Sequence, residues 1–82
     1  MMAYTLHSLA PGSYDLLLDG AIVGSVVCEV DAGGRTQRWH AELLGHPHPL
    51  KRPAPFREVE HSFQSLETIL EWLGNAPVTA AR

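Results

Sequence analysis

The chain has 82 residues, of which 45% are hydrophobic and 18% charged, and its formal net charge is −3. This length supports one domain with a modest core rather than two domains. The acidic balance opposes binding to nucleic acids and anionic membranes, and no segment reaches the ~18 consecutive apolar residues of a membrane-spanning helix. The single cysteine, Cys28, has no partner for an internal disulfide, which fits a reducing compartment. We therefore expect a cytoplasmic protein with no nucleic-acid and no membrane partner.

Residues 4–9 are β-prone and precede a turn signal at Pro11-Gly12, so the sequence predicts a first strand there. A β-hairpin over residues 14–30 follows, with Asp19-Gly20 as its two-residue loop. The Asp-Gly pair favours a type I′ turn, because that turn needs positive φ at both central positions. Counting back from the turn pairs Leu18 with Ala21, Leu17 with Ile22, Leu16 with Val23 and Tyr14 with Ser25.

The predicted register places apolar side chains on both faces of the hairpin, because side chains alternate along a strand. One face holds Tyr14, Leu16, Leu18, Ala21, Val23 and Val27, and the other holds Leu17, Ile22, Val26, Cys28 and Val30. A bulge at Gly24 is the alternative, since it would exchange the faces beyond it. With both faces apolar, the second face needs a cover: the proline-rich segment with Leu50 and Phe56, the first strand, or a second copy of the chain.

Downstream of the hairpin, a turn at residues 32–35 leads to a strand at residues 36–44, with Trp39, Ala41 and Leu43 on one face. Residues 45–56 contain four prolines, and each proline removes a backbone donor and favours extended geometry. We name this segment the proline-rich loop. Alternation in residues 58–63 predicts a short edge strand.

A C-terminal helix is predicted after Ser65, a plausible N-cap residue, and before Gly74, a favoured C′ residue. Its apolar stripe consists of Leu66, Ile69, Leu70 and Leu73. The fold class is therefore α+β: an antiparallel β-meander of three to five strands with one C-terminal helix packed on one face. We expect a single domain at residues 1–75 and a flexible C-terminal tail at residues 76–82.

His46 and His48 are the candidate metal ligands, because they lie two residues apart in an extended segment. Zinc sites generally need three or four ligands, and no companion occurs at a family spacing. We therefore expect solvated loop histidines and neither a metal nor a cofactor. Cys28 lies in an apolar strand and is interpreted as a buried structural thiol rather than a nucleophile. No nucleophile-elbow motif is present, and the carboxylates are scattered, which favours a non-enzymatic role with no catalytic residue assigned.

Two tracts resemble known families. The pattern Phe63-x-Ser65-x-Glu67-x-x-Leu70 resembles the end of a strand and the start of a helix in small bacterial sheet-plus-helix proteins, including HicB-type antitoxins. The tract Tyr14-Asp-x-Leu-Leu-Asp-Gly-x-x-Val-Gly, with Trp39-x-Ala41 downstream, is similar to short uncharacterised bacterial proteins (domains of unknown function). The resemblance implies an α+β fold and a bacterial origin, and no functional residue is carried over.

Three functional hypotheses follow, and the first is a small protein-interaction module that binds a protein partner or forms a homodimer. The second is a ligand-binding protein or small enzyme that uses a cleft between the proline-rich loop and the sheet. The third is a nucleic-acid-binding or antitoxin-like module, since the topology resembles the DNA-binding domains of phage integrases and plant AP2 factors. Residues 14–30 contain no Lys or Arg, and phosphate neutralisation dominates nucleic-acid affinity, so the third is the least favoured.

Overall fold

The computed structural model describes residues 3–80, apart from the side chains of residues 36 and 37. Its strands form one six-stranded sheet with the spatial order β5-β4-β3-β2-β1-β6. One α-helix, α1, separates β5 from β6 in sequence, and a short 3₁₀ helix lies within the proline-rich loop. The bounds are β1 Tyr4–Ala10, β2 Ser13–Leu18, β3 Ala21–Val30, β4 Thr36–Leu43, the 3₁₀ helix Pro49–Lys51, β5 Glu60–Phe63, α1 Leu66–Trp72 and β6 Val78–Thr79.

The α+β class and the C-terminal helix are confirmed, but the sheet differs from the predicted antiparallel meander. Strands β1 to β5 pair antiparallel in chain order, whereas β6 pairs parallel to β1, with Val78 beside Leu6. The chain leaves the sheet at the β5 edge and returns at the β1 edge, where the Leu6 amide donates to the Pro77 carbonyl at 2.9 Å. The sheet is therefore mixed and has six strands, and Val78 and Thr79, assigned above to the tail, form its last one. Residues 81 and 82 of that tail lie outside the described residues.

The hairpin turn forms where the sequence predicts it. Asp19 and Gly20 have φ values of 51° and 89°, as a type I′ turn requires. Leu18 pairs with Ala21, but Leu16 pairs with Gly24 rather than with Val23. Val23 is thus the extra residue of a β-bulge next to Gly24, and the predicted pairing of Tyr14 with Ser25 is wrong, because Tyr14 pairs with Val26.

The bulge sorts the apolar side chains onto one face of the sheet. Val26 and Cys28 change sides relative to the uninterrupted alternation and lie on the same face as Leu16. We call this the inner face, since α1 packs on it through the fully buried Ile69. The opposite, outer face keeps Leu17, Ile22 and Val27 among polar residues, so the prediction of two apolar faces is wrong.

One core lies between the inner face and α1. Its buried members are Tyr4, Leu6, Leu16, Val26, Ala41, Leu43, Phe56, Ile69, Leu73 and Ala76. Phe56 brings the proline-rich loop into this core, whereas Leu50 is 89% exposed. The loop does not act as the predicted cover of the outer face, because Phe56 is committed to the inner core and Leu50 points to solvent.

Candidate functional site

The outer face carries a polar row that crosses five strands. Neighbouring pairs in the register join His7 to Asp15, Asp15 to Ser25, Ser25 to Glu42 and Glu42 to Glu60. Directly paired residues project to the same side of a sheet, so these side chains form one line. Three of the five are carboxylic acids, and such a surface repels the phosphates of nucleic acids. The absence of a nucleic-acid partner stays a prediction, and the acidic row is consistent with that prediction.

His40 lies in the adjacent row of the outer face and bridges two carboxylates. Its Nε2 is 2.8 Å from Glu29 Oε1, and its Nδ1 is 2.9 Å from Glu60 Oε2 and 3.0 Å from Ser62 Oγ. These partners come from β3 and β5, so the ring links three strands. Both carboxylates are at least half exposed, and exposed ion pairs contribute little to stability.

Ser62, His40 and Glu29 also form a hydroxyl–imidazole–carboxylate series of the kind used in nucleophilic catalysis. Glu60 competes with Ser62 for the same ring nitrogen, and His40 lines none of the three grooves described below. The cluster therefore joins neighbouring strands and is not assigned as a catalytic site. No sequence motif marked it, because only the strand register brings its members together.

The first groove lies between the proline-rich loop, β5 and α1, at the position predicted for a ligand cleft. Its volume is about 700 Å³, and we call it the arginine groove. Arg52 and Arg57 line it together with Phe56, His61 and Trp72. Arg52 Nη1 donates to the Arg57 carbonyl at 2.8 Å, while the buried Arg52 Nε–H has no acceptor among the described residues. Within the described part of the chain, neither guanidinium has a carboxylate within 4.0 Å.

An aromatic cluster forms the wall of the arginine groove. The Trp72 ring lies 4.8 Å from the Phe56 ring, 4.9 Å from His61 and 4.9 Å from Phe63, measured between centroids. His61 Nε2 accepts the backbone N–H groups of Arg57 and Glu58, each at 3.1 Å. The ring proton of His61 is therefore on Nδ1 in this arrangement. The helix stripe predicted from the sequence left Trp72 out, although it precedes the buried Leu73 and packs toward β5.

The second groove lies at the other end of the inner face, beside the start of α1, and has a volume of about 720 Å³. Tyr14, Cys28 and Trp39 line it, and the Tyr14 and Trp39 rings are 6.1 Å apart. Cys28 is half-buried rather than buried as predicted, and it lines this groove together with the first residues of α1.

The third feature is an apolar patch beside the hairpin turn. A cavity of about 240 Å³ is lined by Ile22, Val23, Leu43, Leu44 and Pro47, with Lys51 and Pro53 from the proline-rich loop. Ile22 is 54% exposed and Leu44 60%. Leu50 precedes Lys51 in the 3₁₀ helix and is more exposed still. We call Ile22, Leu44 and Leu50, with this cavity, the tip patch.

The two histidines considered as metal ligands, His46 and His48, are both exposed. His48 caps the 3₁₀ helix, because its Nδ1 accepts the Leu50 N–H at 3.1 Å. Within residues 3–80, no group of three or more His, Cys, Asp or Glu side chains is placed to hold a metal ion.

Across the same residues, no helix is long and apolar enough to cross a membrane. Comparison with known protein families, curated proteins and solved structures finds no match to this chain. The class of protein is thus described by its own fold: a mixed six-stranded sheet covered on one face by a single helix.

Proposed function

We propose that this protein is a small non-enzymatic interaction module that self-associates through the tip patch. The observation that carries the proposal is the exposure of Leu50, which presents 89% of its surface to solvent and directly precedes Lys51, a lining residue of an otherwise apolar cavity. Isolated exposed leucines are common, but an exposed apolar cluster with a cavity is typical of contact surfaces.

The tip patch contains both halves of a complementary contact. Leu50 is an exposed apolar side chain, and the cavity of about 240 Å³ that the next residue, Lys51, helps to line is otherwise apolar. When a protruding side chain and a receiving cavity belong to the same patch, a two-fold axis inserts each copy's Leu50 into the other copy's cavity. The same contact would cover Ile22 and Leu44, so a second copy is the occupant that we propose.

This surface replaces the one predicted from sequence. The expectation of a homodimer rested on an apolar second sheet face, and the bulge at Val23 removes that premise. The tip patch supplies a different apolar surface at the hairpin end of the sheet, where Ile22 projects on the outer face beside its partner Leu17. Its small extent favours a weak dimer, since contacts below about 1,200 Å² of total buried area are typically transient.

Sedimentation equilibrium on three proteins tests the proposal. We expect wild type to shift from its 9.0 kDa monomer toward twice that mass as its concentration rises from about 10 μM to about 1 mM, the range of a weak contact. Leu50→Glu should remain monomeric throughout, because a carboxylate would be placed in an apolar cavity. Leu9→Glu is the matched control, since Leu9 is 55% exposed at the end of β1, away from the patch, and its dimerisation should equal that of wild type.

Salt provides a second criterion. Each copy has a net charge of −3, so screening should strengthen a dimer held by apolar contact. A wild-type mass of 9.0 kDa at every concentration would overturn the proposal. Equal dimerisation of wild type and Leu50→Glu would show that a different surface is used and would overturn it as well.

A further inference from the structure

The geometry points to a second binding site, independent of self-association: we propose that the arginine groove binds a small aromatic oxyanion, that is, a carboxylate or phosphate group attached to a planar ring. Arg52 and Arg57 would hold the oxyanion, and the aromatic wall would contact the ring. The tip patch shares no lining residue with this groove.

The oxyanion part of the proposal rests on unpaired donors. Arg52 Nε–H is buried without an acceptor among the described residues, and a buried donor left unsatisfied is unfavourable. Arg57 has no carboxylate partner in the described part of the chain, and both arginines line this one groove in a protein of negative net charge. Guanidinium groups match the planar geometry of carboxylates and the oxygen spacing of phosphates.

His61 adds a third donor to the groove. Because its Nε2 accepts two backbone N–H groups, its proton is on Nδ1, which has no partner among the described residues. The two backbone bonds also fix the ring, so its donor is held in place before any ligand arrives. The arginine groove thus combines two arginines and one imidazole ring with no carboxylate side chain in its lining.

The planar ring is inferred from the wall of the groove. Trp72 is half-buried and lines the groove beside Phe56 and Pro55, and an aromatic ring contacts such surfaces by stacking or edge-to-face packing. A volume of about 700 Å³ falls within the usual range for small-molecule sites, about 300–1,000 Å³, and favours a small ligand over a macromolecular partner.

A titration followed by ¹H–¹⁵N NMR tests the site, because the Arg52 Nε–H and Trp72 Nε1–H signals report from within it. The probes are phenyl phosphate and benzoate, which combine ring and charge. Inorganic phosphate and acetate carry the charge alone, and benzamide carries the ring alone. We expect the combined probes to shift both signals and to bind at least about tenfold more tightly than any single-feature probe, since each feature contributes its own contacts.

Arg57→Gln should weaken binding of phenyl phosphate by about tenfold, the usual effect of losing one charge-assisted hydrogen bond. The backbone contacts of Arg57 to Arg52 and His61 do not involve its side chain, so the variant should fold. Arg35→Gln removes the same charge from the turn after β3 and should leave the affinity unchanged. The proposal is overturned by unshifted Arg52 and Trp72 signals at about 10 mM probe, where even weak small-ligand sites are occupied. It is also overturned if ring-free phosphate binds as well as phenyl phosphate, or if the two arginine variants weaken binding equally.

Discussion

The Tyr4 hydroxyl donates a hydrogen bond to the Ala54 carbonyl at 2.6 Å and thereby joins the first strand to the proline-rich loop. The Tyr4 ring also lies 6.3 Å from the Phe56 ring, so the contact has a polar and an apolar part. Ala54 and Phe56 both line the arginine groove. The shape of that groove therefore depends on a residue of β1 that is fifty positions away in the chain.

Tyr4→Phe should lower the free energy of unfolding by about 1 kcal/mol, the usual net contribution of such a hydrogen bond, because the Ala54 carbonyl loses its donor while the ring packing remains. Thermal or urea unfolding measures this difference. Burial raises the pKa of Tyr4 above its ordinary value of 10.0, so the folded state favours the protonated phenol. A raised folded-state pKa means that this contribution is complete below pH 10 and is lost as the pH rises through the folded-state pKa. The stability difference between wild type and Tyr4→Phe should therefore shrink in strongly alkaline buffer, and a difference that persists there would contradict this account.

Ile69 is the residue of α1 that is buried in the core. This side chain is fully buried, whereas Leu70, a member of the same predicted stripe, is only partly buried. Ile69→Ala should cost about 2–5 kcal/mol of unfolding free energy, the range for truncating a buried aliphatic side chain. Leu70→Ala is the matched comparison and should cost less than half as much. Equal losses in urea unfolding would mean that the helix is rotated relative to the packing described above.

The features that were predictable from sequence are those that depend on local chemistry. The Asp19-Gly20 turn and the Ser65 cap follow from backbone preferences that hold in any fold. The division of apolar residues between the sheet faces failed at Val23, because one inserted residue reverses a two-residue period. Gly24 marked a bulge there as the alternative, but the strand pattern alone did not decide between the two registers. β6 has two residues, which is too short for any periodicity to predict.

The sites were less predictable than the fold. His40 meets Glu29 and Glu60 only through the strand register, so their separation in sequence carries no signal. The arginine groove was predicted as a cleft between the loop and the sheet, but its lining was not. Arg52 and Arg57 belong to an irregular segment, and its path is set by tertiary contacts such as the one between Tyr4 and Ala54.

Gly24 is required by the close approach of β4. A Cβ atom at this position would lie 2.0 Å from the Glu42 carbonyl oxygen, so one of the two backbones would have to move. Gly24→Ala should destabilise the fold by about 3 kcal/mol or more, at or beyond the upper end for overpacking, because the obstacle is backbone rather than a flexible side chain. Gly20→Ala is the contrasting variant. A Cβ atom at Gly20 would meet no other atom within 4 Å, but the φ of Gly20 is 89°, so only backbone strain of about 1–2 kcal/mol is expected. Urea unfolding that ranks Gly20→Ala as the more damaging change would contradict the bulge and its pairing.

The central functional claim is that Leu50 of one copy enters the tip patch of another, and an isotope-filtered NOE experiment measures that contact directly. The sample is a mixture of ¹³C-labelled and unlabelled chains at a concentration where sedimentation detects the dimer. In such a mixture, NOEs between a labelled and an unlabelled chain report contacts between two copies and not contacts within one copy. We predict intermolecular NOEs from the Leu50 methyl groups to those of Ile22 and Leu44, and their loss in Leu50→Glu. Intermolecular NOEs confined to other surfaces, such as the outer face around Val27 and His40, would contradict the account.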